Sequence, residues 1–219
     1  MPVTAMFLLL GLQTASPLSP PPIQVTKPVA AADTVSFRSE PLKFSYTLPA
    51  GIHAETNIAE QALKEETDKA TGVKKAAAEC VSIPLLAMDE TENFRMVSVM
   101  RMDQTCLGSS TTPSQLGSIA TQVLTESLKR LGEPQVGTPL DYKLGEHGAS
   151  LLVGSAKSEK LGVTFHAAIS CALVEKDIAC WEFLAVDPAV LAQLTAIPVH
   201  FDGHDPLPVV PAEIIAKAK

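Results

Sequence analysis

Aromatic and basic residues are scarce in this chain: one Trp, two Tyr and seven Phe among 219 residues, and 17 Lys plus Arg against 24 Asp plus Glu, for a net charge of −7. The acidic balance offers no field to draw in phosphate backbones or anionic lipid, and few rings are present on which bases or sugars could stack. No nucleic-acid partner is expected. Also missing are a P-loop, a Gly-x-Gly-x-x-Gly turn, an EF-hand loop and any Cys-x-x-Cys pair. Nucleotide and calcium readings therefore have nothing to rest on, and no cofactor is expected. Ser109, Ser110 and Ser155 lie in no Gly-x-Ser-x-Gly elbow, and nothing in the sequence assigns them a histidine. His166 stands alone within an apolar strand pattern, where a structural or surface role is the ordinary one. No catalytic residue is assigned.

What is present is apolar. Hydrophobic residues make up 46% of the chain and charged residues 19%, a balance that excludes wholesale disorder and fits a single domain with a buried core. Residues 5–12 read AMFLLLGL, too short to span a bilayer but the length of a signal-peptide core. No basic residue precedes this run, the first being Lys27, so the leader lacks the usual positive segment. A hydrophobic N-terminal tail is the alternative to export. No Cys follows the run to take a lipid anchor, so the expectation is release into periplasm or medium, with no stable membrane span in the mature protein. Residues 17–30 hold five prolines, which favour an extended linker. The expected organisation is a leader over 1–16, a proline-rich linker over 17–33, one α+β domain over 34–204 and a proline-rich tail over 205–219.

The four cysteines are even in number, as two disulfides in an exported chain require. Cys171 and Cys180 flank Glu175 and Lys176. A two-residue turn there sets the two cysteines opposite each other at a non-hydrogen-bonded pair, where side chains approach closest. A slip of one residue would put the sulfurs on opposite faces. Cys80 and Cys106 then pair by elimination. The competing reading is four reduced, buried core cysteines.

Alternating apolar residues around Glu40 and Pro41 predict a hairpin over 35–48, ended by Pro49 and Gly51. A short, charged surface helix is expected over 57–69. Strands follow over 80–88 and 94–102, joined by an acidic loop over 89–93, with Pro84 implying an edge position or a bulge. The strongest helix signal covers 113–131: Thr112 as N-cap, Pro113 in the first turn, Gln115 completing a capping box, and Leu116, Ile119, Ala120, Val123, Leu124, Leu128 and Leu131 on one face, with Gly132 as C-cap. Strand-length runs over 149–157, 161–174 and 178–186 make an antiparallel meander. In its middle strand Val163, Phe165, Ile169 and Leu173 fall on one side and Ala168, Ala172 and Val174 on the other, so both faces of the sheet need cover. Asp187 and Pro188 open a second helix through about 194.

The run Leu42-x-Phe44-x-Tyr46-x-Leu48-Pro49-x-Gly51, the single long central helix, the meander, and a closing helix followed by Phe201-Asp202-Gly203 together resemble the PsbP-like superfamily over roughly residues 34–204. The resemblance implies an α/β/α sandwich with an antiparallel sheet of about six strands and helices packed on its faces. Because members are mostly binding or assembly proteins without an active site, it also implies a non-enzyme. It transfers no functional residue, and the cysteine pair and proline-rich ends depart from the pattern.

One cluster could hold chemistry: His200, Asp202 and His204, in the run His-Phe-Asp-Gly-His-Asp. Alternation puts His200 and Asp202 on one side of an extended segment, and imidazole with carboxylate suits zinc or a similar divalent ion. The same residues are also ordinary turn chemistry at a strand end. The expectation is an exported, non-catalytic binding or assembly module whose partner is an unidentified protein or small ligand. The alternatives are a metal-dependent hydrolase built on His200, Asp202 and His204, and a structural subunit of an envelope complex.

Overall fold

Alternating hydrophobicity dominates the middle of the chain, and the computed structural model, which describes residues 36–89, 94–108 and 110–217, turns it into two sheets and a layer of helices. In chain order the elements are β1 (Ser36–Ser39), β2 (Phe44–Thr47), β3 (His53–Ala54), α1 (Thr56–Lys69), α2 (Gly72–Glu79), β4 (Val81–Asp89), β5 (Arg95–Asp103), a single 3-10 turn (Pro113–Gln115) leading into α3 (Leu116–Lys129), β6 (Glu133–Val136), β7 (Leu140–Leu144), β8 (His147–Ser158), β9 (Val163–Val174), β10 (Asp177–Ala185), α4 (Pro188–Thr195), β11 (Pro198–Phe201), β12 (Leu207–Pro208) and α5 (Ala212–Lys217). The leader over 1–16, the linker over 17–33 and most of the acidic loop over 89–93 lie outside the described residues.

The larger sheet has eight strands in the order β3-β4-β5-β10-β9-β8-β6, with β7 also paired to β8. The smaller has four, β1-β2-β11-β12. The meander over β8, β9 and β10 is antiparallel throughout, and its strands alternate between two cores as the sequence pattern requires. Phe165, Ile169 and Leu173 join the core beneath α1 and α3, whereas Ala168, Ala172 and Val174 join the core shared with the smaller sheet. Residue Val163 is half-exposed at the strand end. The first core gathers Leu116, Ala120, Val123, Leu124 and Leu128 of α3 against Met96, Met100 and Ile169. The second is organised around Trp181, which meets Phe44 at 5.4 Å and Phe201 at 6.3 Å between ring centres. Each fully buried large side chain of this kind contributes about 1.5–3 kcal/mol relative to exposure.

Two features of the expected sheet are corrected. It has eight strands and not about six, because β3, β6 and β7 are two to five residues long and Pro134 weakens the strand signal of β6. Its second face is covered mainly by the four-stranded sheet, with α4 and α5 beside it, and not by helices alone. The hairpin over 35–48 forms as β1 and β2, but its strand β2 pairs with β11 from the far end of the domain. Residues beyond 204 also belong to the fold: Leu207–Pro208 pairs with Pro198 and Val199, and Val209 and Val210 are buried. Tyr142 ties this segment down, donating to the Val209 carbonyl at 2.6 Å while sitting 2.5 Å from the Ser170 hydroxyl.

The helix starts are met in detail, whereas α3 ends at Lys129 with Arg130, and not Gly132, as its C-cap. Gln115 Oε1 accepts from the Thr112 backbone N–H at 2.8 Å, and Asp187 accepts from the Ala189 N–H at 2.7 Å. Gly132 donates to the Leu128 carbonyl at 3.0 Å, yet its φ is not left-handed. Glycine is needed there for another reason: a Cβ would lie 2.0 Å from the Lys157 carbonyl oxygen of β8. Pro84 falls where the β4–β5 register shifts between Ser82 and Leu85, a bulge. The helix α2, which no sequence pattern marked, has no buried residue.

Candidate functional site

The four cysteines are brought together in the two expected pairs. Cys171 and Cys180 are register partners on β9 and β10, so the turn at Glu175 and Lys176 holds the register the pairing needs. Their Cα atoms are 4.0 Å apart and the sulfurs lie at disulfide distance. Glu175 reaches this turn with φ at 56°, the left-handed region that glycine or asparagine normally fills. Its side chain meets Lys43, at φ 49°, in an ion pair of 3.5 Å. Cys80, at the end of α2, pairs with Cys106 in the turn after β5, with Cα atoms 5.5 Å apart. The Cys106 N–H also donates to Asp103 Oδ1 at 2.9 Å, which anchors the turn to the strand.

His200, Asp202 and His204 are neighbours in space, but they are not arranged as a ligand set. On β11 the buried residues are Val199 and Phe201, so His200 points outward. Asp202 is engaged by Arg38 of β1 through two hydrogen bonds of 2.9 Å each, and Arg38 Nε also donates to Glu40 at 2.6 Å. The Arg38 hydrogen bonds hold the Asp202 carboxyl below the usual carboxylate range, and the same contacts raise Arg38 further above its ordinary value. His204 is exposed, with its backbone N–H donating to the Phe201 carbonyl at 3.1 Å, the turn geometry that Asp-Gly favours. Among the described residues no group of three or more His, Cys, Asp or Glu side chains is placed to hold a metal ion. His166 is half-buried near the N-terminal end of β9, opposite Ala185 at the end of β10.

A shallow groove of about 210 Å³ opens between α1, α2 and β4, floored by Leu63, Val81 and Ile83 and rimmed by Glu60, Lys64 and Asp68. The exposed Val73 lies on α2, the helix that forms one wall of this groove.

The most unusual polar group is one the sequence reading passed over. Glu182 lies mid-strand in β10, only 7% exposed, on the face of the sheet that carries α3. Burial pushes its carboxyl up to about 7, against smaller opposing effects from a Ser127 hydrogen bond and the Arg130 charge. Its Oε1 has no hydrogen-bond partner among the described residues. The signal was available: Glu182 is the one charge in the otherwise apolar run from Ile178 to Ala185.

No protein-family model matches the chain, and no curated protein matches it. Among solved structures it is similar to the cyanobacterial PsbP, CyanoP, of Synechocystis sp. PCC 6803, at 10% identity and a TM-score of 0.47 over 81% of this chain and 98% of that one. It is also similar to LpqN of Mycobacterium tuberculosis, described as involved in cell envelope biogenesis, at 11% identity and a TM-score of 0.37 over 73% of this chain and 76% of that one. No helix among the described residues is long and apolar enough to cross a membrane.

Proposed function

We propose that the chain is an exported binding or assembly module that works by non-covalent contact in the cell envelope or outside it. The observation that carries this reading is the pair of cysteine couples at disulfide distance, one clamping the central hairpin and the other tying a loop to the edge of a helix. Disulfides persist in oxidising compartments and are rare where thiols are kept reduced. The apolar run over 5–12 supports the same compartment from the sequence.

The reading is further supported by what the polar groups are used for. Asp202, the carboxylate of the suspected metal cluster, is occupied in pinning β1 to the end of β11 through Arg38. Tyr142 and Ser170 secure the C-terminal segment. These groups serve the fold, which leaves recognition to the surface. Affinity capture of the mature protein from its native envelope fraction tests the reading. A specific, stoichiometric partner or ligand is expected; purified protein that turns over substrate through His200 or His204 would contradict it.

A further inference from the structure

Glu182 is held on the α3 face of the sheet in a setting that is nearly free of charge. On its own strand the flanking residues of the same face are Cys180 and Leu184. Across β5 it faces Ser98, flanked by Met96 and Met100, and across β9 it faces Ile169, flanked by Ala167 and Cys171. From α3, Ser127 hydrogen-bonds the carboxyl, and Arg130 at the helix C-cap supplies the one charge among the described residues that acts on it. Glu126 of the same helix is turned to Lys129 at 2.8 Å on the exposed side. His166, the histidine of β9, alternates onto the opposite face of the sheet from Phe165 and Ala167.

An ionised carboxylate in such a site keeps one hydroxyl and the Arg130 charge in place of its hydration shell, and its Oε1 has no hydrogen-bond partner among the described residues. Two escapes exist: the group takes up a proton, or the cover above it opens to admit water. The nearest cover is α3, which packs on β8 and β9 through Leu116, Val123, Leu124 and Leu128 and reaches Glu182 at its C-terminal end through Ser127 and Arg130.

We propose that Glu182 makes the docking of α3 pH-responsive, the neutral carboxyl seating the helix and the carboxylate loosening it. Burial that lifts the group to about 7 places the change in the physiological range. The sign follows from linkage. With α3 open the carboxyl titrates near its ordinary value of about 4.3, so the closed state binds the proton more tightly and loses ground as pH rises between the two values. Opening is therefore favoured on the alkaline side.

The test uses the full chain and two readouts: amide hydrogen-exchange protection across residues 116–129, corrected for intrinsic exchange, and a carbon-13 NMR titration of the Glu182 carboxyl. Between about pH 5.5 and about pH 8.5, protection in α3 is expected to fall about 30-fold in the native protein. In Glu182→Gln it stays flat, and the native carboxyl titrates with a midpoint near the value that burial sets. Equal pH dependence in both proteins would overturn the proposal. So would a carboxyl midpoint below about pH 5, a result that needs no variant to fold.

Discussion

Cys171 stands directly opposite Cys180 on adjacent strands, with both residues fully buried and their Cα atoms 4.0 Å apart. A link between register partners at the centre of the sheet fixes the hairpin whose two faces feed both cores: Cys171 and Cys180 line one, and Ala172, Ala179 and Trp181 line the other. The second link, Cys80 to Cys106, closes a longer loop at the edge of the same face.

Removing either link destabilises the fold chiefly by freeing the unfolded chain. Chain-entropy arguments give about 2–4 kcal/mol for loops of this size, with the Cys80→Ser/Cys106→Ser pair losing somewhat more than Cys171→Ala/Cys180→Ala, because its loop is longer. Urea denaturation measures the difference. The slope of stability against denaturant should rise in both variants, since the uncrosslinked unfolded state exposes more surface.

Glu182→Gln stabilises the protein in a pH-dependent way. The native carboxyl is raised above its unfolded value, so its penalty is absent below about pH 4, grows as pH rises, and is complete above about pH 8. At that alkaline limit the variant should be more stable by about 3 kcal/mol, and at the acid limit the two should be equal. Parallel denaturation curves at the two limits check it; a variant less stable at alkaline pH would show that the carboxylate is satisfied where it lies.

Gly132→Ala forces a methyl group into the Lys157 carbonyl, against which no flexible side chain can yield. Overpacking of this kind costs about 1–3 kcal/mol, and the backbone on one side of the contact is rigid sheet. A clear fall in melting temperature is expected, because Gly132 lies past the helix end, where alanine's helix propensity offsets nothing.

Arg38→Ala leaves Asp202 without its two hydrogen bonds. Because the pair is exposed, stability should change little. The Asp202 carboxyl, now held low by Arg38, should move up toward the ordinary range in an NMR titration. Calorimetric titration with zinc completes the test. With Asp202 committed to Arg38, the native protein should give no saturable heat at micromolar metal, whereas a defined site of one ion per chain would restore the metal-dependent reading of His200, Asp202 and His204.

Much of the fold was legible because it is written in long, regular patterns. The capping box at Thr112 and Gln115, the stripe on α3, the meander and its two-sided alternation, and the register of Cys171 with Cys180 all appear where periodicity places them. What was illegible is short or non-local. Strands such as His53–Ala54 and Leu207–Pro208 are too brief for a period to register, and proline at 134, 198 and 208 suppresses the strand signal. Pairing β2 with β11, some 150 residues away, leaves no local mark. The same limit applies to the site: nothing near Asp202 in the sequence announces Arg38 as its partner. Glu182 was the opposite case, a single charge inside an apolar strand, whose meaning depends on α3 packing on the same face of the sheet.

The central claim is best tested by peptide mapping, by mass spectrometry without reduction, of the protein recovered from its native cells by fraction. The account predicts an N-terminus downstream of the apolar run over 5–12, recovery outside the cytoplasm, and two crosslinked peptides, Cys80 with Cys106 and Cys171 with Cys180. Recovery from the cytoplasm with Met1 retained and all four thiols free would contradict it.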